Sequence, residues 1–141
     1  MGLEFWQGAV PERYSKPLAR RKTQINAYEL IAVVVAAHTW ADKLAGHKVF
    51  FCIDNTVALA VLCKGRSPKR DLNAWARHAT RIFRDYGIEA HFLWVPSKLN
   101  LADLPSRGAP VPGALRVSAV FPSAQGRLPP ASASAAGACP L

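Results

Sequence analysis

The sequence is short of acidic residues. Nine Asp and Glu stand against 18 Lys and Arg, which gives a formal net charge of +9 at pH 7. This balance favours a polyanionic partner, and nucleic acid is the commonest one. An anionic membrane surface would attract the chain too, so charge alone leaves both partners open.

A long hydrophobic run is also missing. The longest uninterrupted apolar run is far short of the roughly 20 residues that span a bilayer. The first residues do not resemble a signal peptide, and Trp6 stands where a myristoylation site needs Ser or Thr. We therefore expect an intracellular protein, cytoplasmic or nuclear, that is neither secreted nor bound to a membrane.

Cysteine is scarce and unpatterned. Cys52, Cys63 and Cys139 form an odd number without the spacing of a metal site, so we expect reduced thiols, with Cys52 in the core of a strand. The sequence has no G-x-S-x-G, no glycine-rich phosphate loop and no H-E-x-x-H. Hydrolases and nucleotide enzymes that depend on those motifs have little support.

What the sequence does have is room for one domain with a real core, built around a patterned stretch that ends near residue 55. Residues 30–37 are apolar on every helical face, which predicts a core helix. Asn26 and Glu29 have the spacing of a capping box at its start, and Gly46 suits its end. Residues 49–53, Val-Phe-Phe-Cys-Ile, predict a strand that is buried on both faces, as parallel strands are.

Asp54 follows this strand directly. A second apolar strand begins at Glu89 and is stopped by Pro96, and the two helices between the strands make a crossover long enough for parallel pairing. Because the carboxyl ends of parallel strands meet at one sheet edge, we expect Asp54 and Asp103 to lie at the same edge. The structural alternatives are that Asp54 caps the next helix and that Asp103 is an ordinary loop aspartate.

Three acids can therefore converge. Glu29 lies on the core helix, Asp54 at one strand end and Asp103 beyond the next. Like charges gathered in one place are costly unless a cation holds them. Carboxylate oxygens suit Mg²⁺ or Mn²⁺, and two such ions roughly 4 Å apart are the usual means of hydrolysing a phosphodiester.

A second long helix, over residues 71–86, has an apolar inward face and a basic outer edge. Four arginines recur at separations of seven, four and three, and three more basic residues precede them in a turn. We expect a track for the phosphate backbone, although a merely solvated face would look the same. The full set of side chains that we expect to contact nucleic acid is Asn55, Lys64, Arg66, Lys69, Arg70, Arg77, Arg81, Arg84, Lys98 and Arg107.

Three blocks of the sequence carry a resemblance: I-N-A-Y-E-L-I-A-V, V-F-F-C-I-D-N-T-V-A-L and W-V-P-S-K-L-N-L-A-D-L-P-S-R. In this order they resemble the ribonuclease H domain attached to reverse transcriptases of retroelements, in particular of tyrosine-recombinase retrotransposons, over about residues 3–108. The resemblance implies an α/β, ribonuclease H-like fold with a mixed sheet and flanking helices. It also implies cleavage of the RNA strand of RNA/DNA hybrids by two metal ions, with ligands at Glu29, Asp54 and Asp103.

The chain departs from that family at two points. It has no T-D-A-S type first strand, which carries the fourth carboxylate of the family, and the only acids before Glu29 are Glu4 and Glu12. Lys98 stands in the loop where many members have a His. We therefore expect a fold that lacks its first strand, little activity in the isolated chain, and a reverse transcriptase domain upstream as partner.

The expected organisation has three parts. Residues 1–25 are a residual strand and a basic loop, residues 26–108 the ribonuclease H-like core, and residues 109–141 a disordered tail rich in Pro, Ala and Ser. Two other functions stay open: a catalytically dead remnant that still binds nucleic acid, and an integrase-like polynucleotidyl transferase of the same fold.

Overall fold

Two parallel pairs of strands and the helices packed around them give the protein an α/β fold. The computed structural model describes residues 2–21 and 24–122. A 3₁₀ turn, Ser97–Leu99, follows the last strand of the longer pair. In chain order the other elements are β1 (Glu4–Phe5), α1 (Glu12–Ser15), α2 (Ile25–Thr39), α3 (Ala41–Leu44), β2 (Lys48–Ile53), α4 (Thr56–Lys64), α5 (Arg70–Asp85), β3 (Glu89–Trp94), α6 (Asp103–Ser106) and β4 (Leu115–Arg116).

The longer strand pair joins β2 and β3. These strands run parallel and in register, from Lys48 opposite Glu89 to Ile53 opposite Trp94. α4 and α5 form the crossover between them, so the predicted strand-helix-helix-strand order is confirmed. β1 and β4 form a second parallel pair of two residues each. Within the described ranges the strands make two separate sheets of two strands rather than one mixed sheet.

α2 lies at the centre of the core. Its Leu30, Val34 and Val35 are fully buried, and the helix packs against α5 and α4. Leu72 and Ile82 of α5 are as deeply buried in the same cluster. A helix with no polar face must be covered nearly all round, which is what the apolar pattern predicted. No helix in the described ranges combines the length and apolar character that crossing a membrane requires.

The start of α2 differs in detail from the predicted capping box. The helix begins at Ile25 and its N-cap is Gln24, which makes no side-chain capping bond. Asn26 therefore lies inside the first turn, where its side chain is free for another partner. Its Oδ1 accepts a hydrogen bond from Asn55 Nδ2 at 2.9 Å, and Glu29 is left with no capping role.

The helix also ends earlier than Gly46. α2 stops at Thr39 because Trp40 takes a non-helical backbone, with φ −106° and ψ 21°, and α3 continues beyond it. The Trp40 indole donates to Glu4 Oε2 at 2.7 Å, which ties this break to β1. Gly46, with φ +73°, makes the left-handed turn into β2 that only glycine adopts without strain.

The expected burial of β2 on both faces is wrong. Phe50 is 62% exposed and Cys52 is exposed, so Cys52 is not a core residue. On the other face Phe51 packs against Phe83 and Phe92, with ring centroids 5.3 and 5.7 Å away. The difference arises because the described helices cover only one face of the β2–β3 pair.

The chain after the core is better packed than its composition suggests. Part of the segment 109–141, expected to be disordered, supplies β4 and then packs Phe121 against Tyr14. The Tyr14 hydroxyl donates to the carbonyl oxygen of Pro122, which is itself fully buried. A few aromatic contacts thus suffice to hold a stretch rich in Pro and Ala. Residues 123–141 lie outside the described part of the chain.

The basic loop before α2 is not simply solvated. The Arg21 guanidinium forms an ion pair with Asp71, whose side chain is only 9% exposed. The same carboxylate accepts a hydrogen bond from the backbone N–H of Ala19 at 3.2 Å. Asp71 therefore holds the loop against the start of α5. Lys22 lies outside the described residues.

Candidate metal and nucleic-acid site

The candidate site is organised by Asn55 at the carboxyl end of β2. Asn55 is the N-cap of α4: its Oδ1 accepts from the backbone N–H of Ala58 at 2.9 Å. Its Nδ2 donates to Asn26 Oδ1 in the first turn of α2. One side chain thus joins the starts of both helices at the end of β2. Asp54 is therefore not the cap, and the structural alternative for it is wrong.

This link brings Glu29 and Asp54 into electrostatic contact. Glu29 lies nearly one turn after Asn26 on α2, and both carboxylates are partly buried. Burial raises the pKa of Glu29, and the nearby charge of Asp54 raises it further. The two acids, 25 residues apart in sequence, are therefore close enough in the fold to interact electrostatically.

Asp103 does not join them. It begins α6, and its Oδ2 lies 3.0 Å from Nε of Arg107, the residue that follows this short helix. In the described part of the chain no three Asp, Glu, His or Cys side chains are grouped closely enough to hold a metal ion. The structure therefore does not group the three predicted ligands: Asp103 forms its ion pair with Arg107.

The Glu29–Asp54 pair suits one hard cation. Mg²⁺ is commonly held by one or two carboxylates while it keeps several of its waters. A carboxylate whose pKa is raised by burial and further by a second acid is also a group whose charged form a cation would stabilise. By donor type, these two carboxylates could hold a single Mg²⁺ or Mn²⁺. They do not assemble the two-ion site that the resemblance implies.

The basic edge of α5 is solvent-facing. Arg70, Arg77, Arg81 and Arg84 are all exposed, whereas the buried residues of α5 lie on the opposite side of the helix. From Arg70 to Arg84 the rise along the axis is about 21 Å, at about 1.5 Å per residue. That length matches roughly six base pairs at 3.4 Å each.

A basic turn continues this edge. Lys64, Arg66 and Lys69 are exposed, as expected. Two of them line an open groove of about 800 Å³ together with Ser67, Pro68 and Asn73. Asn73 Oδ1 accepts from the Ser67 backbone N–H at 3.1 Å, which fixes the shape of the turn. The cationic heads therefore project from a backbone of defined conformation.

Three of the expected nucleic-acid contacts need separate comment. Lys98 is exposed on the 3₁₀ turn after β3, where it can reach a ligand. Arg107 is engaged with Asp103, so it meets an anion within the chain. Asn55 uses both ends of its amide in the helix-joining bonds, which gives its side chain a structural role.

Sequence reasoning passed over Trp94 in this neighbourhood. Trp94 ends β3 and is 55% exposed, and its indole Nε1 donates to the backbone oxygen of Asp54 at 3.3 Å. The signal that could have found it was its position, since it is the last residue of a parallel strand at the ligand-binding edge. The signal is easily missed, because an aromatic residue within an apolar run is normally expected to pack in the core.

The chain matches no protein-family model, no curated protein and no solved structure.

Proposed function

We propose that this chain is a ribonuclease H-like domain of a retroelement reverse transcriptase, which hydrolyses the RNA strand of RNA/DNA hybrids with Mg²⁺ or Mn²⁺. The observation that carries the proposal is the Glu29–Asp54 pair. A half-buried acid on an otherwise apolar core helix, placed beside the acid that ends a parallel strand, is costly without a cation. The three sequence blocks that carry the resemblance contain both residues and Asp103.

The side chains in this proposal have two roles, according to their position. Glu29 and Asp54 would hold the cation, which supplies Lewis-acid polarisation of a phosphate oxygen when it is bound. The α5 arginines and the basic turn would hold the backbone of the hybrid by charge, without reading sequence. Because that edge spans about six base pairs, at about 1.5 Å rise per helical residue, binding needs a duplex of at least this length.

The proposed domain is completed from outside this chain. Two carboxylates fall short of a two-ion site, and β2 has an edge without a strand neighbour in the described residues. A first strand carrying an Asp, next to a reverse transcriptase domain, would supply both the missing ligand and the missing ladder. The isolated chain is then a binding module with little or no cleavage activity.

One observation favours a second candidate, a nucleic-acid-binding remnant that is catalytically dead. Asp103 is paired with Arg107 instead of standing with the other two acids. If that pairing persists when the fold is completed, the basic edge keeps its affinity while the metal site stays incomplete. The remnant predicts binding that never leads to metal-dependent cleavage.

Cleavage of a labelled RNA/DNA hybrid in Mg²⁺ separates the two candidates. The proteins are the chain itself, a version extended at its N-terminus by a strand bearing an Asp, and the Asp54→Asn variant of each. Asp42→Asn, in an exposed acid of α3, is the matched control. We expect cleavage by the extended protein and its Asp42→Asn variant, and none after Asp54→Asn.

Binding without cleavage by the extended protein would instead establish the remnant. Strong cleavage by the short chain, abolished by Asp54→Asn, would show that the first strand is dispensable.

A further inference from the structure

Trp94 is the one tryptophan of this protein that is left exposed, and all four tryptophans lie in the described part of the chain. Trp6 packs edge-on against Phe121. Trp75 stacks on His78, with ring centroids 5.6 Å apart. Trp40 donates its indole N–H to Glu4. Tryptophan is highly buried on average, so an indole with 55% of its surface in solvent needs a reason.

The indole is held in place although it is exposed. Its Nε1 donates to the backbone oxygen of Asp54, and its backbone lies opposite Ile53 in the β2–β3 register. No aromatic ring of the described residues packs against it. The ring is therefore anchored at one edge beside the acid pair and leaves aromatic surface open to a ligand.

Charge at this position favours nucleic acid as the ligand. Lys98 is exposed four residues after Trp94, on the turn that leaves β3, and has no ion-pair partner among the described side chains. An exposed aromatic ring beside a cation is how proteins hold single strands: the base stacks and the phosphate is neutralised. The net charge of +9 acts in the same direction.

We propose that Trp94 is a stacking platform for an exposed nucleobase, one that is unpaired or at the end of a hybrid, on the strand that passes the Glu29–Asp54 pair. The inference deepens the proposed function and rests on it for the class of ligand. Trp94 positions a strand by contact with its base, and it takes no part in the chemistry. Lys98 neutralises a neighbouring phosphate of the same strand.

A protein surface is the competing occupant. Leu99 and Leu101, five and seven residues after Trp94 in sequence, are 75% and 63% exposed, and a protein partner would use them together with the indole. A base needs the aromatic ring and not the leucines. Leu99→Ala is thus a matched control, because it removes exposed apolar surface from the same loop without removing a π face.

The test is a binding titration of the full chain in EDTA, so that cleavage plays no part. The probes are a fluorescein-labelled single-stranded oligonucleotide and an abasic strand of the same length and charge. We expect Trp94→Ala to weaken binding of the first strand by roughly 5- to 150-fold, the loss of one stacked base. Trp94→Phe should retain part of the affinity, Leu99→Ala should retain all of it, and the abasic strand should bind wild type and Trp94→Ala equally.

Unchanged binding by Trp94→Ala, an equal loss on the abasic strand, or the same loss in Leu99→Ala would each overturn the proposal. Thermal unfolding of each variant, matched to wild type, shows that the fold is retained. Because the titration contains no metal, a failure here is separate from a failure of Mg²⁺-dependent cleavage, which is measured on the extended protein.

Discussion

Glu29 shows how one residue can conflict with its surroundings. The residues that follow it on α2 are mostly apolar and buried, yet Glu29 is a half-buried carboxylate close enough to Asp54 to feel its charge. The folded protein therefore holds a proton on Glu29 more tightly than the unfolded chain does, because its pKa is raised above the ordinary 4.5. The stability that this acid contributes is full below about pH 4.5 and is lost as pH rises through the raised folded-state value.

Glu29→Gln should consequently raise the melting temperature near neutral pH in EDTA, since the neutral amide avoids the buried charge. The advantage over wild type should shrink towards zero below about pH 4.5. Added Mg²⁺ should raise the melting temperature of wild type and leave that of the variant unchanged. Glu12→Gln, in an exposed acid of α1, is the control. A Glu29→Gln protein that melts lower than wild type in EDTA at neutral pH would contradict this account.

His38 gives a second dependence on pH, of opposite sign. It is a buried residue near the end of α2, with the ring of Tyr86 6.4 Å away, and burial lowers its pKa from the ordinary 6.5. Burial also lowers the pKa of His78 on α5, with smaller contributions from the charges of Arg81 and His38.

The unfolded chain therefore binds more protons than the folded chain just below pH 6.5. The contribution of His38 is full above about pH 6.5 and is lost as pH falls towards its folded-state value. We expect the urea midpoint to fall between about pH 7.5 and pH 5, and His38→Gln to flatten that fall. His47 is exposed, so His47→Gln is the control and should show the same change of urea midpoint with pH as the wild type. A wild-type slope in the His38 variant would show that other groups cause the fall.

At the scale of elements, the sequence predicted those helices and strands whose formation depends on nearby residues. The apolar run of α2 and the amphipathic α5 follow from periodicity, and the parallel pairing of β2 and β3 follows from the crossover between them; all are present. The capping box failed because Asn26 finds a better partner 29 residues away. The burial of β2 on one face only depends on which helices pack against the sheet, and the sequence of the strand alone does not indicate this.

Two asparagine variants measure the joint between α2 and α4. Asn55→Ala removes both the α4 cap and the bond to Asn26, so it should cost about 0.5–2 kcal/mol of unfolding free energy for the cap, and more for the link. Asn26→Ala removes the link alone and should cost less, about 0.5–1.5 kcal/mol. Denaturant titration of both variants gives the comparison. Equal costs would mean that the cap contributes nothing.

The basic edge of α5 is tested by its salt dependence. Arg77→Ala combined with Arg81→Ala should weaken binding to a duplex and reduce the slope of log affinity against log salt by roughly one for each phosphate that the protein no longer neutralises. Lys16→Ala combined with Arg20→Ala removes the same charge from exposed positions elsewhere. If both pairs change the slope equally, the α5 edge is only solvated and attracts the duplex through net charge.

For the whole molecule, the two ends of the described chain hold each other. β1 pairs with β4, the Arg116 guanidinium donates to the Gln7 carbonyl at 3.3 Å, and Phe121 packs between Trp6 and Tyr14. The core strands and helices lie between these two arms. The sequence did not predict this contact between the two ends. It depends on single aromatic residues, such as Phe121, in a segment that has no other pattern.

Truncation after Ala114 should destabilise the protein. It removes β4, Phe121 and Pro122, and each large apolar side chain that loses its burial costs roughly 1.5–3 kcal/mol. Truncation after Pro122 keeps every contact named above and is the control. The urea midpoints of the two shortened chains give the comparison, and equal midpoints would show that the arm adds nothing to stability.

The sequence predicted some residues of the candidate site and missed others. Asp54 follows from strand polarity and Glu29 from being the one acid on an apolar helix, and the structure brings these two together. Asp103 was placed at the same sheet edge from the parallel strand order, but its orientation depends on a short helix and on Arg107. Trp94 was missed because burial is a property of the assembled fold and not of residue type.

The edge of β2 that has no strand neighbour in the described chain bears on how this protein behaves at high concentration. His47 and Ile53 accept hydrogen bonds from Glu89 and Val95, so alternate residues face β3 and the backbone groups between them point away. The run Val-Phe-Phe-Cys-Ile, in which Phe50 and Cys52 are exposed, has no charge and no proline, which is the signature of segments that stack into cross-β aggregates. A cell or a purification that holds the chain alone must therefore keep it dilute or shield that edge.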